Sequence, residues 1–498
     1  MTWPCVVLWV LILMGALSRG PLIIYLYSAT GIFGSLTMLP PALSANLNLP
    51  AQLVCAGILV LKIFLRSENR TVALCLAFDV RRLGLLPIFA LYAALTAFFF
   101  PTLFAGSIMV IPLNKAFLQP LQPTSSNFAQ TVYLTISILM LFAFAVAGRH
   151  GPFRTHYFRA VLLTSILLIA SGLLDLAVSS VGQSDVLMPF HNASYAMLTD
   201  DNLGGQKRVV GFMPEASAYG GTCSMFMAFL VFCQDSFEPQ LRRLLVPITS
   251  AGLAIMTFLS TSSTGYVGLA VTAGVILVRA VLRSFFLTTT PAARRRAVVL
   301  IGCSLAAIFC LFEIVPSSIT GPYFNLVNIA LFQKTTSSSY IERSSWTHAG
   351  IAAFWASHCI GVGVGSVRTS NWYANILAST GAVGVPLLFA SFAQIVWPYR
   401  RYTERGMLHF SRGLKFSLIP GAIMIALSGT TPDPGSWLMS TLGLIYSLTL
   451  ADAGNSKSVL VGSGGYRFFR FLPSVAERTN SVQIAKEVTR PEYSAGRR

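Results

Sequence analysis

This sequence is poor in charged residues, which make up only 10% of its 498 residues, whereas 54% are hydrophobic. Soluble domains carry about 25% charged residues, so a soluble fold is not expected. The 8 cysteines stand singly and show no CxxC or Cys/His spacing, which predicts neither a metal site nor a disulfide framework. There is no Walker motif, and the glycines between 361 and 365 lack the strand–helix context of a dinucleotide loop. We therefore expect no cofactor.

Apolar runs of about 17–22 residues recur along the chain, each long enough to cross a bilayer core of about 30 Å. Backbone inside lipid must satisfy its own hydrogen bonds, so these runs are expected to be helices. The sequence predicts an all-α, polytopic integral membrane protein with about 12–13 transmembrane helices. The expected spans cover residues 3–17, 20–38, 49–65, 85–104, 128–148, 160–180, 213–233, 244–260, 264–282, 297–315, 372–398, 416–430 and 436–452.

These spans form one transmembrane domain over residues 1–454, followed by a polar tail, 455–498, that we expect to be disordered in the cytoplasm. The first apolar run lacks a basic leader region and a small-residue cleavage site, which favours an uncleaved span. Arg19 stands between two short apolar runs. Strict alternation places the N-terminus outside the cytoplasm, unless one of these runs does not cross.

The net charge of +18 is distributed unevenly. Short loops rich in Lys and Arg stay cytoplasmic, and such loops lie near residues 66–82, 149–159, 294–296 and 400–415. The basicity is therefore mainly a topology signal, together with attraction to anionic lipid headgroups, and no nucleic-acid-binding module is visible. The basic residues left on the outer side are Lys115, Lys207, Arg208, Lys334, Arg343 and Arg368.

Two outer loops, about 181–213 and 316–369, hold most of these outer basic residues. In the second loop, Ser339 and Glu342 have capping-box spacing, which predicts a short helix running to about Cys359. Its tryptophans and isoleucines favour a position at the membrane interface. The glycines that follow end this helix and allow the backbone to approach a ligand closely.

Arg208 and Glu215 lie close together in the sequence, at the outer mouth of a predicted span. Pro214 suits the first turn of a helix, and Glu215 would then stand at the positive end of that helix. A carboxylate in this position can act as a general base on a sugar hydroxyl. Alternatively, Glu215 only stabilises the helix start and Arg208 anchors the chain at the interface.

Arg343 offers a planar fork of donors that matches phosphate or pyrophosphate oxygens. Alternatively, the Arg343 side chain pairs with the neighbouring Glu342 or reaches toward lipid phosphates. Trp346 is three residues away and shares the face of Arg343. His348 lies off that face and is either catalytic or structural. Arg368, further along, either holds a phosphate near the next span or marks the end of that span.

Two further outer segments leave alternatives open. The polar turn from Ser260 to Gly265, which includes Ser263, either satisfies helix ends or binds sugar. The loop at about 105–127 is either a lid or a plain connection.

These motifs occur in a recognisable order: Arg208 before Pro214-Glu215-Ala216-Ser217, the Ser260–Tyr266 turn, Arg343-x-x-Trp346, Gly361-Val362-Gly363-Val364-Gly365, and then Asn371, Gly381 and Gly384. In this order the chain resembles the O-antigen polymerase/ligase superfamily, in particular Wzy-type polysaccharide polymerases and exopolysaccharide polymerases. The likeness covers about residues 130–450. It implies a GT-C-like glycosyltransferase of the bacterial inner membrane that works without a metal.

The implied substrate is an undecaprenyl-pyrophosphate-linked oligosaccharide at the periplasmic face. A flippase and a chain-length regulator would be partners, besides membrane lipids. The resemblance carries pyrophosphate or sugar binding onto Arg208 and Arg343. We accordingly expect a catalytic and a substrate-binding set, and no metal ligands. The catalytic set is Arg208, Glu215, Arg343 and His348, and the substrate-binding set is Arg368, Trp346, Asn371 and Ser263.

One departure concerns the His-Asn pair that ligases of the superfamily often carry before the last Gly-x-x-Gly motif. Here the pair is Ser370-Asn371, which favours a polymerase over a ligase that transfers a finished glycan. A transporter or flippase is the remaining alternative. Transporters tend to carry charges near the membrane midplane, whereas Asp175 and Glu313 fall near the ends of their spans.

Overall fold

The computed structural model describes residues 2–39, 48–115, 117–193, 202–203, 206–282, 338–397 and 405–459. In these ranges the chain is almost entirely helical. The helices are α1 (Trp3–Leu17), α2 (Leu22–Ala29), α3 (Ala51–Phe64), α4 (Ser67–Ala77), α5 (Leu85–Leu103), α6 (Ser125–Ala147), α7 (Gly151–Ser180), α8 (Ala216–Phe232), α9 (Val246–Leu259), α10 (Ser263–Leu282), α11 (Ser338–Ala356), α12 (Trp372–Val396), α13 (Arg405–Ser428) and α14 (Ser436–Val459). Two antiparallel pairs of short strands accompany them: β1 (Met109–Val110) with β2 (Gln119–Pro120), and β3 (Asn202–Leu203) with β4 (Gln206–Lys207).

Seven helical segments in the described ranges are long and apolar enough to cross a membrane: Leu85–Leu103, Ser125–Ala147, Gly151–Ser180, Leu241–Leu259, Ser263–Leu282, Trp372–Val396 and Gly406–Ser428. Five further apolar helices have 10–17 residues. The protein is therefore an all-α, multi-pass membrane protein, as predicted. The count of about 12–13 spans stays a prediction, since the expected span 297–315 and the tail beyond residue 459 lie outside the described residues.

Several predicted boundaries were wrong. The expected span 20–38 is not one helix, because α2 ends at Ala29 and a single 3₁₀ turn follows over Thr30–Ile32. Helix α7 begins at Gly151 rather than 160, and α13 at Arg405 rather than 416. The loop expected over 66–82 contains helix α4. Arginine is a good helix former, so helices continue past the point where apolar residues stop.

The helices pack through aromatic side chains and small residues. Phe158 lies against Phe229 and Phe410, with ring centroids 5.1 and 5.2 Å apart, and so joins α7, α8 and α13. At Gly443 of α14, an added Cβ would lie 2.4 Å from the carbonyl oxygen of Leu141 on α6. Helices in membranes use such small residues to bring their backbones together.

Long-range contacts join the loops at one end of the bundle. Arg343 of α11 pairs with Glu215, the residue before α8. The backbone N–H of Arg368 donates to the carbonyl oxygen of Ile111, next to β1, at 2.8 Å. The loop at 105–127 is therefore tied to the segment that carries Arg368. We call this end of the bundle the site end; it comprises residues 105–115, 117–124, 207–215, 260–262, 338–371 and 429–435.

The opposite end carries exposed ion pairs, among them Arg149 with Glu68 and Arg159 with Glu238. Most of the described arginines lie there, as the predicted topology requires. The beginning of α1 belongs instead to the site end, because the Asn192 side chain, in the loop that follows α7, contacts the hydroxyl of Thr2 at 3.4 Å. That the N-terminus lies outside the cytoplasm stays a prediction, because α1 and α2 are among the shorter apolar helices and not among the seven candidate spans.

Candidate functional site

A buried carboxylate on α7 fixes the segment that carries Arg208. One oxygen of Asp175 accepts the backbone N–H groups of Val210 and Gly211, at 2.7 and 3.0 Å. The other oxygen pairs with the ammonium of Lys207 at 2.9 Å. Gly211 has φ +58, a left-handed conformation that glycine adopts without strain. Asp175 is 2% exposed, so this carboxylate depends on these partners for its charge to be tolerated.

Arg208, between these anchored residues, reaches the turn that joins α9 and α10. Its Nε donates to the hydroxyl of Thr261 at 3.2 Å, and its Nη2 to the Thr261 carbonyl oxygen at 3.3 Å. In the same turn, the Ser260 hydroxyl donates to the carbonyl of Thr257, and the Ser262 hydroxyl accepts the N–H of Gly265. The turn thus satisfies helix ends and also holds Arg208.

Glu215 is the residue before α8 and has extended backbone, φ −158 and ψ 160. The helix begins at Ala216, so Pro214 precedes it and does not form its first turn as predicted. The hydroxyl of Ser217 donates to one oxygen of Glu215. The Nη2 of Arg343 contacts both oxygens, at 3.2 and 3.4 Å. The carboxylate is thereby held at the positive end of a helix and against a guanidinium from α11.

Helix α11 confirms the predicted short helix, with shifted ends. It begins at Ser338, so Ser339 lies inside it rather than at its cap, and it ends at Ala356, before the expected Cys359. Its apolar residues divide into two groups. Trp346 and Phe354 are buried against the protein, at 6% and 7% exposure, whereas Ile341, Ile351 and Trp355 remain exposed.

Arg368 stacks on the buried tryptophan of α11. Its guanidinium carbon lies 3.7 Å from the centre of the Trp346 ring, within the range of a cation–π contact. Within the described ranges, no side-chain or backbone acceptor binds the Arg368 guanidinium, and none binds the buried indole N–H of Trp346. Protein donors in such positions are normally satisfied. This pair therefore presents unused donors at the site end.

Three charged side chains near Arg368 influence the pKa of its guanidinium. Burial lowers the pKa of Arg368, an effect opposed by the nearby carboxylates of Glu342 and Glu215 and reinforced by Arg343. A guanidinium with lowered pKa is one that has lost hydration without gaining enough anionic partners. We call Glu215, Arg343, Trp346 and Arg368 the arginine cluster. Arg208, the other predicted arginine, contacts the turn between α9 and α10 instead.

The glycine run after α11 packs closely on protein, and its expected approach to a ligand stays a prediction. Gly361, Gly363 and Gly365 all have positive φ, between +83 and +95. A Cβ on Gly363 would lie 2.5 Å from the carbonyl oxygen of Thr96 on α5, and one on Gly365 2.5 Å from that of Ser126 on α6. The glycines therefore allow the loop that carries Arg368 to pack directly against α5 and α6.

A second carboxylate, Asp433, lies in the loop between α13 and α14. Its oxygens accept the hydroxyl of Ser137 on α6 at 3.1 Å and the N–H of Gly435 at 3.0 Å. Burial raises the pKa of Asp433 to about 6, although both hydrogen bonds favour the ionised form. The loop is also tied to α12, where the indole N–H of Trp372 donates to the carbonyl oxygen of Pro432 at 3.1 Å.

The remaining predicted site residues lie outside these contacts. His348 is exposed, and its Nδ1 donates to the carbonyl oxygen of Ser344 on its own helix at 2.8 Å. Asn371 caps α12, because its side-chain oxygen accepts the N–H of Ala374 at 3.1 Å. Ser263 begins α10 and is half-buried. Roles in catalysis or substrate binding stay predictions for all three.

Sequence reasoning missed two acidic residues and one threonine. From the sequence, Asp175 served only as a charge near the end of its span that disfavours a transporter, although a lone aspartate in an apolar run with Lys207 in the next outer loop is a signal for pairing. Asp433 resembles an ordinary turn residue between prolines. Thr261 is one of five consecutive hydroxyl residues from Ser260 to Thr264, and nothing in the sequence distinguishes it from the others. Within the described ranges, no three His, Cys, Asp or Glu side chains come together as metal ligands do.

Comparison with known proteins gives no assignment: no family model, no curated protein and no solved structure matches this chain.

Proposed function

We propose that this protein is a membrane glycosyltransferase that polymerises oligosaccharide units carried on undecaprenyl pyrophosphate. It would act at the periplasmic face of a bacterial inner membrane, with GT-C-like architecture and without a metal, as the resemblance implies. The site end is then the periplasmic end. Support for this orientation comes from the arginines, most of which lie at the opposite end among the described residues.

The observation that carries the proposal is the arginine cluster. The guanidinium groups of Arg343 and Arg368 lie near Glu215, and that of Arg368 contacts no acceptor within the described residues. A half-buried cation with unused donors is suited to a di-anionic group such as pyrophosphate. Arg368 is therefore the expected first contact of the leaving group. The sequence alone had favoured Arg208 and Arg343 for this contact.

The transfer step follows from this arrangement. A hydroxyl oxygen of the acceptor sugar attacks the anomeric carbon of the donor, and the bond from that carbon to the pyrophosphate oxygen breaks. The electron pair leaves with the pyrophosphate, whose growing charge the fixed guanidinium groups stabilise. The hydroxyl proton passes to the carboxylate of Glu215, which acts as general base.

Glu215 must be freed from Arg343 for this role. In the structure, the Nη2 of Arg343 contacts both oxygens of Glu215. An arriving pyrophosphate competes for the same guanidinium. Binding of the donor would therefore draw Arg343 away from the carboxylate and make an oxygen of Glu215 available to the acceptor hydroxyl. The resting ion pair keeps the base occupied until the donor is present.

The test is reconstitution of the purified full chain with a lipid-linked oligosaccharide, with product length followed on a gel. We expect the unaltered protein to extend chains. Arg343→Ala and Arg208→Ala should each slow extension by about 100-fold or more, the usual effect of removing a charge-stabilising donor. Lys115→Ala serves as a matched control, because Lys115 is an exposed cation at the same end outside the cluster.

Product analysis separates the outcomes. Unchanged polymer length in both arginine variants, at normal protein levels, would contradict the proposal. Transfer of one preformed chain onto a lipid or protein acceptor, without extension, would indicate a ligase instead. Movement of the lipid-linked unit across vesicles, without any new glycosidic bond, would indicate a flippase.

A further inference from the structure

A cavity of about 530 Å³ lies at the opposite end of the bundle, away from the arginine cluster. It is formed between the beginning of α7, the segment that follows α8, and the beginning of α13. Phe158 and Phe410, which pack together, supply its aromatic lining. The charged and ionisable residues that line it are Arg154, Arg242, His409 and Asp235.

The electrostatics of this cavity favour an anion. Two arginines face one carboxylate, and Arg242 contacts Asp235 at 3.2 Å while remaining half-exposed. Arg154 lies over the ring of Phe410 and donates to the carbonyl oxygen of Gly148 at 2.8 Å. His409 is exposed, and within the described residues no hydrogen bond occupies its ring. The cavity thus has an excess of positive charge and donors.

Two helices also begin at this cavity. Gly151, the first residue of α7, and Gly406, in the first turn of α13, both line it. First-turn N–H groups have no partner inside their own helix, and they carry partial positive charge. The residue before α7, His150, gives no side-chain cap to these groups. At α7, the N–H groups of Gly151 and Phe153 add backbone donors to the side chains already described, whereas Pro152 has none.

The cavity lies where the apolar surface begins. Arg242 belongs to the π-helical turn Leu241–Leu245, which leads into a candidate membrane span. Leu244 and Ile248, just beyond it, are 66% and 59% exposed. Exposed apolar side chains of this kind are expected to face lipid. The cavity is therefore at the depth of lipid headgroups rather than deep in the bundle.

We propose that this cavity binds a phosphate group, carried by the headgroup of an anionic phospholipid or by a soluble phosphate compound. The position beside an apolar surface favours the lipid, whose acyl chains would lie along Leu244 and Ile248. The cationic lining would select an anionic headgroup over a zwitterionic one. This site is independent of the transfer reaction proposed for the other end.

Native mass spectrometry of the purified full chain in zwitterionic detergent tests the proposal. Phosphatidylglycerol, phosphatidylcholine and inorganic phosphate are added separately. We expect preferential binding of phosphatidylglycerol, reduced about tenfold in the double variant Arg242→Gln, His409→Gln by loss of charge-assisted hydrogen bonds. Arg243→Gln is the matched control, because Arg243 is the exposed neighbour of Arg242 and does not line the cavity.

A second variant tests the site by an expected gain in binding, which misfolding of the double variant could not imitate. Asp235→Asn removes the carboxylate that competes for Arg242, and it should raise binding about two- to fivefold, the value of an exposed ion pair. Binding of inorganic phosphate alone, lost in the double variant, would support the site with a soluble ligand. Equal binding of both lipids without phosphate binding would overturn the proposal. Equal losses in the double variant and in Arg243→Gln would also overturn it.

Discussion

A single nitrogen of Arg343 contacts both carboxylate oxygens of Glu215, at 3.2 and 3.4 Å, across 128 residues of sequence. The two side chains are 26% and 33% exposed. Solvent therefore reaches the pair, and its contribution to stability is small, as for other exposed ion pairs. A weak pair of this kind can be opened by a ligand that offers more negative charge than the carboxylate does.

Glu215→Gln is expected to strengthen the binding of inorganic pyrophosphate while stopping polymer extension. The amide does not compete for Arg343 as a carboxylate does, so affinity should rise about two- to fivefold. Isothermal titration calorimetry of the purified protein measures this change. Glu238→Gln, at the opposite end, should leave the affinity unchanged. Equal or weaker binding by Glu215→Gln would show that the ion pair does not compete with the anion.

Arg368→Ala is expected to weaken pyrophosphate binding about tenfold or more, since a charge-assisted hydrogen bond contributes about 1.5–3 kcal/mol. Trp346→Phe keeps an aromatic face for the guanidinium but removes the indole N–H, so its loss should be smaller. The same calorimetric titration measures both, with Lys115→Ala as control. If Arg368→Ala bound pyrophosphate as well as the unaltered protein, the unused donors would not belong to the anion site.

Asp175→Asn is expected to destabilise the protein by about 3 kcal/mol, because it leaves the partly buried Lys207 without its partner. Extension should fall as well, since the segment that places Arg208 is released. Thermal unfolding in detergent and the extension assay measure the two effects. Ser179→Ala removes only neutral-partner contacts, to Lys207 and to Asp175, and leaves the ion pair in place, so it should cost less. A fully stable Asp175→Asn protein would contradict this anchoring role.

Asp433→Asn is expected to change how stability depends on pH. Because burial raises the pKa of Asp433 from 3.8 to about 6, the folded protein favours the protonated form. Its contribution to the free energy of unfolding is full below pH 3.8 and is lost as the pH rises through about 6. The neutral variant should therefore melt higher than the unaltered protein at pH 7.5, with the difference vanishing toward pH 4.5. Parallel melting curves at both values would exclude this linkage.

The apolar runs predicted the class of fold because lipid imposes one solution on the backbone. The bounds of α1 and α10 agree with the sequence to within one residue. Agreement fails where helices extend into water, as at the beginnings of α7 and α13. There the apolar run stops but good helix formers continue, so hydropathy marks the membrane boundary and not the end of the helix.

The site was predictable only in part. Glu215 could be placed at the positive end of a helix from Pro214 and the apolar run after it, because these are local signals, although the helix begins two residues later than Pro214 suggested. Its pairing with Arg343 could not, since no local pattern shows which distant residue a side chain meets. The same holds for Arg368 on Trp346. For the glycine run, the sequence indicated close approach correctly, but it gave no information on whether the approaching group was a ligand or another helix.

The loop that carries Arg368 rests on α5 and α6 through Gly363 and Gly365, with no space for a side chain at either contact. Its position therefore follows these helices. Helices that cross a bilayer tilt when the thickness of the hydrocarbon layer changes. Tilting α5 or α6 would shift the Arg368 guanidinium relative to Glu215 without altering any residue of the loop. Because the loop contacts α5 and α6 at these two glycines, we expect the thickness of the surrounding membrane to influence the distances between the charges of the cluster.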